Sequence, residues 1–392
     1  MKKSLTVIFF ILTVITLQIY GQLWSPIIRL TWNAGWSNSP FIAVDTSSGI
    51  HLVWSDNSQG GANEIFYKHS TNGGTTWSGP TVIGSGGVCS NPSMAVDSGS
   101  GIHVVFFMEG MAIHYSDIYY NHSTNGGASW LGLKKLEWNA GTSANPSIAA
   151  DSASGIHIVW NDDTPGNPEI YYKRSYDGGT TWSGITRLSW NAGWSRFPSI
   201  AASGGTIHVV WDDYTPGNYE IYYKCSTNSG STWSGLKRLT WNAGGSYHPS
   251  IAVSGSVIHM VWYDDTPGNY EIFYKLSTND GISWYGPIRL TWTAIPSMEP
   301  SIAASGSVVH VVWQEGTPEE DTEIYYKCSS NGGITWSAAT RLTWSAGYSE
   351  HPSIAREPGN WVHVVWQDEA QENWEIFYKN NKAGSIITTN KK

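Results

Sequence analysis

The sequence has little cysteine, little charge and one long hydrophobic run, and each shortage excludes a class of protein. Three cysteines among 392 residues cannot form the dense disulfide framework of a small secreted scaffold. Charged residues make up 14% of the chain and the formal net charge is −9, so we expect no nucleic acid partner. No Cys/His spacing typical of a metal site occurs. We therefore predict no metal and no cofactor, with Ca²⁺ bound by clustered carboxylates as a weak alternative.

The one long hydrophobic run lies at the N-terminus. Lys2 and Lys3 precede an apolar stretch over 5–19, and Gly21 is a small residue suited to cleavage. This order is typical of a secretory signal peptide, and the stretch is short for a membrane span. We predict a signal peptide over residues 1–21 and no transmembrane segment after its cleavage. The protein is then secreted, periplasmic or on the cell surface.

The rest of the chain repeats one unit of about fifty residues, and seven copies are present. The marker of the unit is an apolar strand that ends in Trp or Phe, as in 50–54 and 102–106. Such a period is typical of solenoids and propellers. A residue present in every copy is therefore first a scaffold residue. A residue that a single copy carries is the better candidate for a unique site.

Each unit contains four short segments with strand-like alternation. In the fourth copy they are 198–202, 207–211, 220–224 and 237–241, separated by turns rich in Gly, Pro, Asn and Ser. Alternating segments bounded by these residues predict strands and hairpins, and the mature chain shows no convincing helical period. Four antiparallel strands repeated radially form the blade of a β-propeller. The sequence therefore predicts an all-β fold.

The strand motifs also predict the number of blades and the closure of the ring. The fourth-strand motif occurs seven times, but its first copy, 28–32, precedes the first blade, and no fourth strand follows 375–379. We predict one seven-bladed propeller over residues 22–380, with four-stranded antiparallel blades and a polar tail over 381–392. The N-terminal strand closes the last blade, which removes the exposed sheet edges. The first-strand motif likewise occurs seven times, at Pro40, Pro92, Pro146, Pro198, Pro249, Pro300 and Pro352.

The turn between the third and fourth strands carries a motif in six of the seven units. It reads Ser-x-Asn-x-Gly-x-x-Trp, with Asp in place of Asn in the third copy alone. The motif resembles the Asp box, or bacterial neuraminidase repeat, of the sialidase-like propellers. In that family the boxes lie away from the catalytic face, so the resemblance implies a structural role. The predicted Asp-box residues are Ser70, Asn72, Gly74, Trp77, Trp130, Asp177, Gly179, Trp182, Trp233, Trp284 and Trp336.

The resemblance also bears on activity. Sialidases of this family clamp the substrate carboxylate with three arginines and use a Tyr–Glu nucleophile pair and an Asp acid. Here nearly all arginines are repeat-equivalent strand residues, the exceptions being Arg174, Arg196 and Arg356. The sequence Ile-Arg-Leu around Arg29 replaces the Arg-Ile-Pro motif of the family. We therefore expect binding without hydrolysis of sialosides.

Two recurrent elements fall on the face opposite the Asp boxes, which is normally the ligand face of a propeller. They are the loop Trp-Asn-Ala-Gly-x-Ser and the acidic loop 162–167 with its copies. Flat rings beside amides and carboxylates suit a sugar; the alternative is that the repeated Trp wedges between blades. Aromatic residues at the variable loop position are better candidates, because not every copy needs them. The predicted ligand-binding residues are Trp36, Trp194, Tyr247 and Tyr348, followed by Trp32, Asn33, Trp190, Asn191, Trp241 and Asn242.

The recurring polar strand residues are predicted to belong to the scaffold. One His per unit is expected to be packed and hydrogen-bonded. Carboxylates two residues after the strand Trp, such as Asp56, are expected to cap N–H groups of the neighbouring loop. The strand Glu, such as Glu169, is expected to pair with a strand Arg such as Arg187, or with the Lys that ends its own strand.

The second copy departs from the repeat over 106–117, where another sequence replaces the acidic loop. One hypothesis is a single acid/base site there, and the alternative is drift in one blade. The weak catalytic candidates are Glu109, His114, Tyr115 and Asp117.

From these patterns we predict a lectin-like propeller that binds glycans or cell-surface polysaccharide without turnover. Near-identical blades offer several similar weak sites, which multivalency converts into useful avidity. The alternative is a sialidase-like glycoside hydrolase or a polysaccharide lyase with its site near the second blade. A second alternative is a structural surface protein without a small ligand.

Overall fold

The computed structural model describes residues 23–110, 113–138, 140–317, 320–358, 361–369 and 373–382. Within these ranges the regular secondary structure consists of 29 β-strands, and no helix is long and apolar enough to cross a membrane. The predicted signal peptide and residues 383–392 of the predicted tail lie outside the described residues.

The strands are short, and most have between seven and ten residues or only two. In chain order they are β1 (Leu23–Trp24), β2 (Ile28–Arg29), β3 (Ser37–Val44), β4 (Ile50–Asp56), β5 (Glu64–Ser70), β6 (Thr81–Gly84), β7 (Val88–Val96), β8 (Ile102–Gly110), β9 (Ile113–Ser123), β10 (Lys134–Lys135), β11 (Ser143–Ala150), β12 (Ile156–Asp162), β13 (Glu169–Ser175), β14 (Thr186–Arg187), β15 (Ser195–Ser203), β16 (Thr206–Asp213), β17 (Glu220–Ser226), β18 (Lys237–Arg238), β19 (Ser246–Ser254), β20 (Val257–Asp264), β21 (Glu271–Ser277), β22 (Tyr285–Arg289), β23 (Ser297–Ser305), β24 (Val308–Thr317), β25 (Glu320–Ser329), β26 (Thr340–Arg341), β27 (Ser349–Arg356), β28 (Val362–Asp368) and β29 (Glu375–Lys382).

These strands form seven antiparallel sheets arranged as a ring, which confirms the predicted seven-bladed propeller. Blades 1 to 6 each consist of four consecutive strands, from β3–β6 in blade 1 to β23–β26 in blade 6. Blade 7 consists of β27, β28 and β29 with β1 and β2 at its outer edge. The first strand of each blade contacts the first strands of both neighbouring blades, including β27 with β3.

The N-terminal segment closes blade 7, as predicted. Ile28 pairs with Tyr378 in an antiparallel register, and Leu23 pairs with Lys382 at the far end of β29. The last strand thus runs two residues beyond the boundary predicted at 380. Closure therefore depends on two short strands, one at each end of β29.

Seven apolar cores lie between neighbouring blades rather than within a single centre. The core between blades 7 and 1 combines Ile42, Leu52 and Trp54 of one sheet with Val365 and Ile376 of the next. Because a single blade cannot bury both of its faces, each sheet is stable only against its neighbours. The Trp that ends the second strand is at most 1% exposed in the six blades that carry it.

A tyrosine from each third strand joins neighbouring blades near the face that carries the turns between the third and fourth strands. In blade 1 the Tyr67 hydroxyl contacts His51 Nδ1 at 2.8 Å. The ring of Tyr67 packs edge-on against Trp130 of blade 2, with centroids 5.0 Å apart. A Cβ on Gly127 would collide with the same tyrosine, so glycine is needed there for close approach as well as for its positive φ of 87°.

The same contact recurs around the ring, and the N-terminal strand completes it. In blade 7, Trp24 of β1 takes the position that the tryptophan after the third strand holds in the other six blades. Its ring lies edge-on to Tyr326 of blade 6 at 4.9 Å. Each of the seven tyrosines is therefore covered by an indole from the following blade.

The connections alternate between two faces of the ring. The turn between the third and fourth strands of blade 4 hydrogen-bonds the turn between its first two strands, from Ser229 N–H to Gly205 O at 2.8 Å. On the opposite face, Ser195 N–H donates to Pro168 O at 2.8 Å, which joins the loop before a first strand to the loop before a third strand. We call this second face the loop face.

Candidate functional site

The seven first strands line the axis of the ring and share one bulge near the loop face. Each contains a proline two residues after the start of a register shift, as between Asn38 and Phe41 in blade 1. The residue before the proline has a φ of 45° to 51° in every blade, a conformation that is uncommon for residues other than glycine. Side chains at this position surround a cavity of about 330 Å³ on the axis: Ser39, Asn91, Asn145, Phe197, His248, Glu299 and His351.

Contacts outside this position hold the bulge in place. Ser37 Oγ donates to Asp56 Oδ2 at 2.6 Å, and Ser195 Oγ donates to Asp213 Oδ2 at 2.7 Å. Because such contacts recur along the ring, packing does not require any particular side chain before the proline. The residue before the proline varies among the blades, so a unique site can form here. We call this ring of residues, with the side chains that contact it, the axial mouth.

On one side of the axial mouth, in blades 1 to 3, the side chains are small and neutral. Ser39 Oγ donates to Asn91 Oδ1 at 3.3 Å, and Asn91 Nδ2 donates to Asn145 Oδ1 at 3.1 Å. Asn145 Nδ2 in turn donates to Asn161 Oδ1 at 3.0 Å. This chain of amides offers hydrogen bonds but no charge.

On the other side, in blades 4 to 6, the mouth carries ionisable groups. His248 Nδ1 lies 2.9 Å from Glu299 Oε1, and about a quarter of each side chain remains exposed (25% and 26%). Burial disfavours the imidazolium, but the charges of Glu299 and Asp212 outweigh it and raise the pKa of His248. Burial also opposes ionisation of Glu299, and His248 nevertheless lowers the pKa of that carboxyl. The two groups therefore form a charged acid–base pair at the mouth.

Arg196 stands next to this pair on the first strand of blade 4. Its guanidinium carbon lies 4.4 Å from the centroid of the Tyr219 ring and 5.6 Å from that of Trp194. Its Nε is 3.9 Å from Oδ1 of the buried Asp212, and neither of these two atoms has a hydrogen-bond partner among the described residues. Burial raises the pKa of Asp212 to about 6, against the opposing charges of His248 and Arg196. Arg196 Nε therefore makes no hydrogen bond to Asp212, and the guanidinium lies mainly against the aromatic rings.

Aromatic rings join Arg196 to the acid–base pair. The Tyr219 and Tyr247 ring centroids are 5.3 Å apart, those of Tyr247 and Tyr263 are 5.4 Å apart, and those of His248 and Tyr263 are also 5.4 Å apart. Burial raises the pKa of Tyr247 to about 12 and raises that of Tyr263 further. Both phenols are therefore protonated at neutral pH.

Two of the four variable aromatic residues predicted from the sequence belong to this cluster, and two do not. Trp194 and Tyr247 lie at the axial mouth in blades 4 and 5. Trp36 is 57% exposed in blade 1, and its backbone N–H donates to Asn57 Oδ1 at 2.7 Å. Tyr348 faces Trp374 in blade 7, with ring centroids 6.5 Å apart.

The repeated loop tryptophans lie on the surface rather than between the blades. Five of the six rings have the guanidinium of a fourth-strand Arg nearby, as with Arg187 and Trp190 at 5.8 Å. Four of them also have a Lys nearby, as with Lys224 and Trp190 at 5.2 Å. The exposed fractions are 69% for Trp32, 75% for Trp138, 64% for Trp190, 67% for Trp241, 67% for Trp292 and 65% for Trp344.

The loop asparagines, in contrast, are occupied by the scaffold. Asn33 Nδ2 donates to Asp56 Oδ2 at 2.7 Å, and Asn191 and Asn242 make the equivalent bonds to Asp213 and Asp264. The other oxygen of each carboxylate accepts a loop N–H, as with Ser58 N–H and Asp56 Oδ1 at 2.8 Å. Among the described residues no group of His, Cys, Asp and Glu side chains is arranged to hold a metal ion.

The candidates in blade 2 are dispersed. Asp117 forms an ion pair with Lys135 at 2.5 Å, in the same place where Glu169 pairs with Arg187 at 2.8 Å in blade 3. Tyr115 is 51% exposed, and Glu109 lies on β8 before the hairpin. The side chain of His114 lies outside the described residues. Asp117 thus forms the same kind of ion pair as the strand glutamate that recurs in the other blades.

The turns compared above with Asp boxes are held by their own side chains. Ser70 Oγ accepts the Gly74 N–H at 3.0 Å, Asn72 Oδ1 accepts the Thr76 N–H at 2.9 Å, and Trp77 Nε1 donates to Gly74 O at 3.2 Å. Asp177 makes the same bonds in blade 3, where hydrogen bonds from Thr181 and Ser175 lower its pKa to about 2. These turns lie on the face opposite the axial mouth.

Sequence reasoning missed most of the axial mouth, namely His248, Glu299, Asp212 and the role of Arg196. A signal was present, because the two residues between the repeated Ser and Pro of the first strand differ from copy to copy while their flanks recur. Arg196 was also one of three arginines outside the repeat pattern.

The sequence matches no protein-family model and no curated protein, whereas the fold is similar to solved carbohydrate-active enzymes. An ulvan lyase of polysaccharide lyase family PL25 has a TM-score of 0.63 at 12% identity, covering 90% of this chain and 95% of the lyase. The Hadza microbial sialidase Hz136 has a TM-score of 0.57 at 13% identity, covering 88% of this chain and 66% of the sialidase. For the Trypanosoma rangeli sialidase the values are 0.53, 10%, 88% and 55%. These similarities establish a sialidase-like propeller fold.

Proposed function

We propose that the protein cleaves an acidic polysaccharide at the axial mouth by β-elimination. The observation that carries this proposal is the cluster of Arg196, His248 and Glu299 at positions where the blades otherwise differ. The structural neighbours, which include a polysaccharide lyase and sialidases, support an enzyme more than binding without turnover. Export of the chain, proposed from residues 1–21, would bring it to such polymers outside the cell.

The chemistry of elimination matches the groups present. A uronate sugar loses the proton next to its carboxylate, and the electron pair forms a C4=C5 double bond as the C4–O bond breaks. Arg196 pairs with the carboxylate and so makes the neighbouring proton more acidic, because charge-assisted contacts stabilise the developing anion. The aromatic rings around Arg196 hold the guanidinium in place and offer flat surfaces to the sugar.

His248 and Glu299 supply the two proton transfers. The Glu299 carboxylate accepts the proton from C5, and the His248 imidazolium donates a proton to the departing oxygen. Transfer from Glu299 to His248 across their 2.9 Å contact then restores both groups. One base and one acid in direct contact therefore complete the cycle without a cofactor.

The test is absorbance at about 235 nm, where the unsaturated product of uronate elimination absorbs, during incubation with a panel of uronate polysaccharides. We expect turnover by the wild type and loss of more than about a hundredfold in rate for Glu299→Gln, the typical share of a general base. Glu109→Gln in blade 2 is the matched control and should retain full activity.

Two results would contradict the proposal. One is the absence of turnover on every uronate polymer together with intact polymer binding by Arg196→Ala. The other is turnover that Glu299→Gln leaves intact and Glu109→Gln abolishes, which would place the chemistry in blade 2. Release of sialic acid from a fluorogenic sialoside would instead support hydrolysis.

A second candidate function is lectin-like binding, and the exposed loop tryptophans favour it. Six indoles at equivalent positions, each at least 64% exposed, form a ring of aromatic platforms on the loop face. Each can stack on a sugar ring, and several together give avidity. Binding to a glycan array that persists in Arg196→Ala and falls in Trp190→Ala would identify this surface as the site.

A further inference from the structure

A second cavity on the loop face lies between blades 6 and 7, apart from the axial mouth. Its volume is about 310 Å³, and its lining includes Tyr348, Trp374, Glu350 and Glu369. The Tyr348 and Trp374 rings face each other at a tilt of 25°. Two carboxylates and two aromatic faces thus share one cavity.

Blade 4 contains the equivalent pair of aromatic rings, and there an arginine side chain of the protein itself lies over both rings. Trp194 and Tyr348 occupy the same position of the loop before the first strand. Tyr219 and Trp374 both precede the strand glutamate, and Arg196 and Glu350 are both the residue after the repeated Ser. In blade 4 the Arg196 guanidinium lies over both aromatic rings, at 4.4 Å and 5.6 Å from their centroids. The slot between these two rings is therefore suited to a cation.

Blade 7 keeps the two rings and replaces the cation with an anion. Glu350 stands where blade 4 has Arg196, and Glu369 stands where it has Tyr214. Among the described residues no Lys or Arg lies within ion-pair distance of Glu350 or Glu369. Burial raises the pKa of Glu350, and the nearby charges of Glu299 and Glu369 raise it further, against the opposing effects of His351 and of a hydrogen bond with Gln367. A positive group in this cavity would relieve that repulsion.

We infer that the cavity between blades 6 and 7 binds a protonated amine carried by a sugar of the bound polysaccharide. The inference rests on the proposed function for the choice of a sugar as the carrier, because the cavity opens on the same face as the axial mouth. The substrate class is then a polysaccharide with both carboxylates and free amino groups. Carboxylates and aromatic faces recognise ammonium by charge and by cation–π contact.

The binding test uses a glucosamine tetrasaccharide with free amines and its fully N-acetylated counterpart, measured by titration calorimetry. We expect the amine form to bind the wild type at least about tenfold more tightly, since acetylation removes both the charge and the cation–π contact. Glu350→Gln should weaken the amine form by about tenfold. Glu350→Arg should abolish its binding, because the new guanidinium would fill the slot as Arg196 does in blade 4.

The matched control is Asn38→Arg, which adds an arginine at the equivalent position of blade 1 and should leave binding unchanged. Both arginine variants should fold, since blade 4 carries Arg at this position. Equal affinity for the two tetrasaccharides, or full binding by Glu350→Arg, would overturn the inference. So would binding of agmatine without binding of the amino sugar, because the carrier would then not be a sugar. The proposed function is judged separately, by uronate turnover and Glu299→Gln.

Discussion

Deletion of residues 23–32 is expected to prevent formation of a stable ring, because this segment supplies the outer edge of blade 7. Leu30 is 2% exposed, and loss of a buried leucine side chain costs about 2–5 kcal/mol. Arg29 pairs with Glu375 at 2.7 Å, and the glutamate side chain is fully buried. Without Arg29 the buried Glu375 carboxylate is left unpaired, which costs about 3–5 kcal/mol more.

Further losses add to these. The Leu30 N–H bond to Ile376 O and the Ser25 N–H bond to Asn380 O contribute about 1 kcal/mol each. The edge-on contact of Trp24 with Tyr326 contributes about 1 kcal/mol beyond its burial. The total is about 10 kcal/mol, which equals the whole stability of a typical domain, about 5–15 kcal/mol.

The assay is thermal unfolding followed by near-ultraviolet circular dichroism, which reports the packing of the many tryptophans. Trp32→Ala is the matched control, because its ring is 69% exposed and its loss should shift the transition little. The deleted chain should show no cooperative transition at the wild-type temperature. An unchanged transition would refute the reasoning that the N-terminal strands close the ring.

Three further outcomes are expected. Trp182→Ala should lower the free energy of unfolding by about 2–4 kcal/mol in chemical denaturation, less than the loss of a fully buried indole. The reason is that its ring packs on Tyr120 at 4.9 Å but is only half-buried. Loss of polysaccharide binding with the fold retained would contradict its place on the face opposite the axial mouth. Trp194→Ala should weaken binding of an acidic polysaccharide severalfold in affinity measurements while Trp36→Ala leaves it unchanged, and equal losses from both would favour the lectin-like surface. Stability should fall as the pH drops from 6.5 towards 4, because burial depresses the pKa of the second-strand histidines in blades 4 to 7 to about 4. The unfolded chain takes up protons first, so each such group contributes up to about 3 kcal/mol. Denaturation midpoints that are equal at pH 7 and pH 5 would refute this. The four histidines are His208, His259, His310 and His363.

The architecture was predictable because its determinants are local and repeated. Strand alternation, turn residues and the copy of the fourth-strand motif at 28–32 gave the blade number and the closure directly. Trp24 was not predictable as the counterpart of the tryptophans that follow the other third strands, since it lies outside any repeated motif. Its role depends on β1 lying beside the end of β29, which only the assembled ring brings about.

The axial mouth was harder to predict for a related reason. Arg196, His248 and Glu299 are separated by about fifty residues from copy to copy, and the packing of blades 4, 5 and 6 side by side brings them together. The bulge before the proline turns these residues towards the axis, and the sequence of a single copy does not reveal that orientation. In blade 2 the opposite occurred, since a unique sequence placed Asp117 in an ordinary scaffold ion pair with Lys135.

The most direct test of the account is a crystal structure of Glu299→Gln with a uronate oligosaccharide. The account predicts sugar across the axial mouth, with a carboxylate paired to the Arg196 guanidinium and a sugar ring against Tyr219 or Tyr247. Sugar bound only at the exposed loop tryptophans, with the axial mouth free of it, would contradict the account.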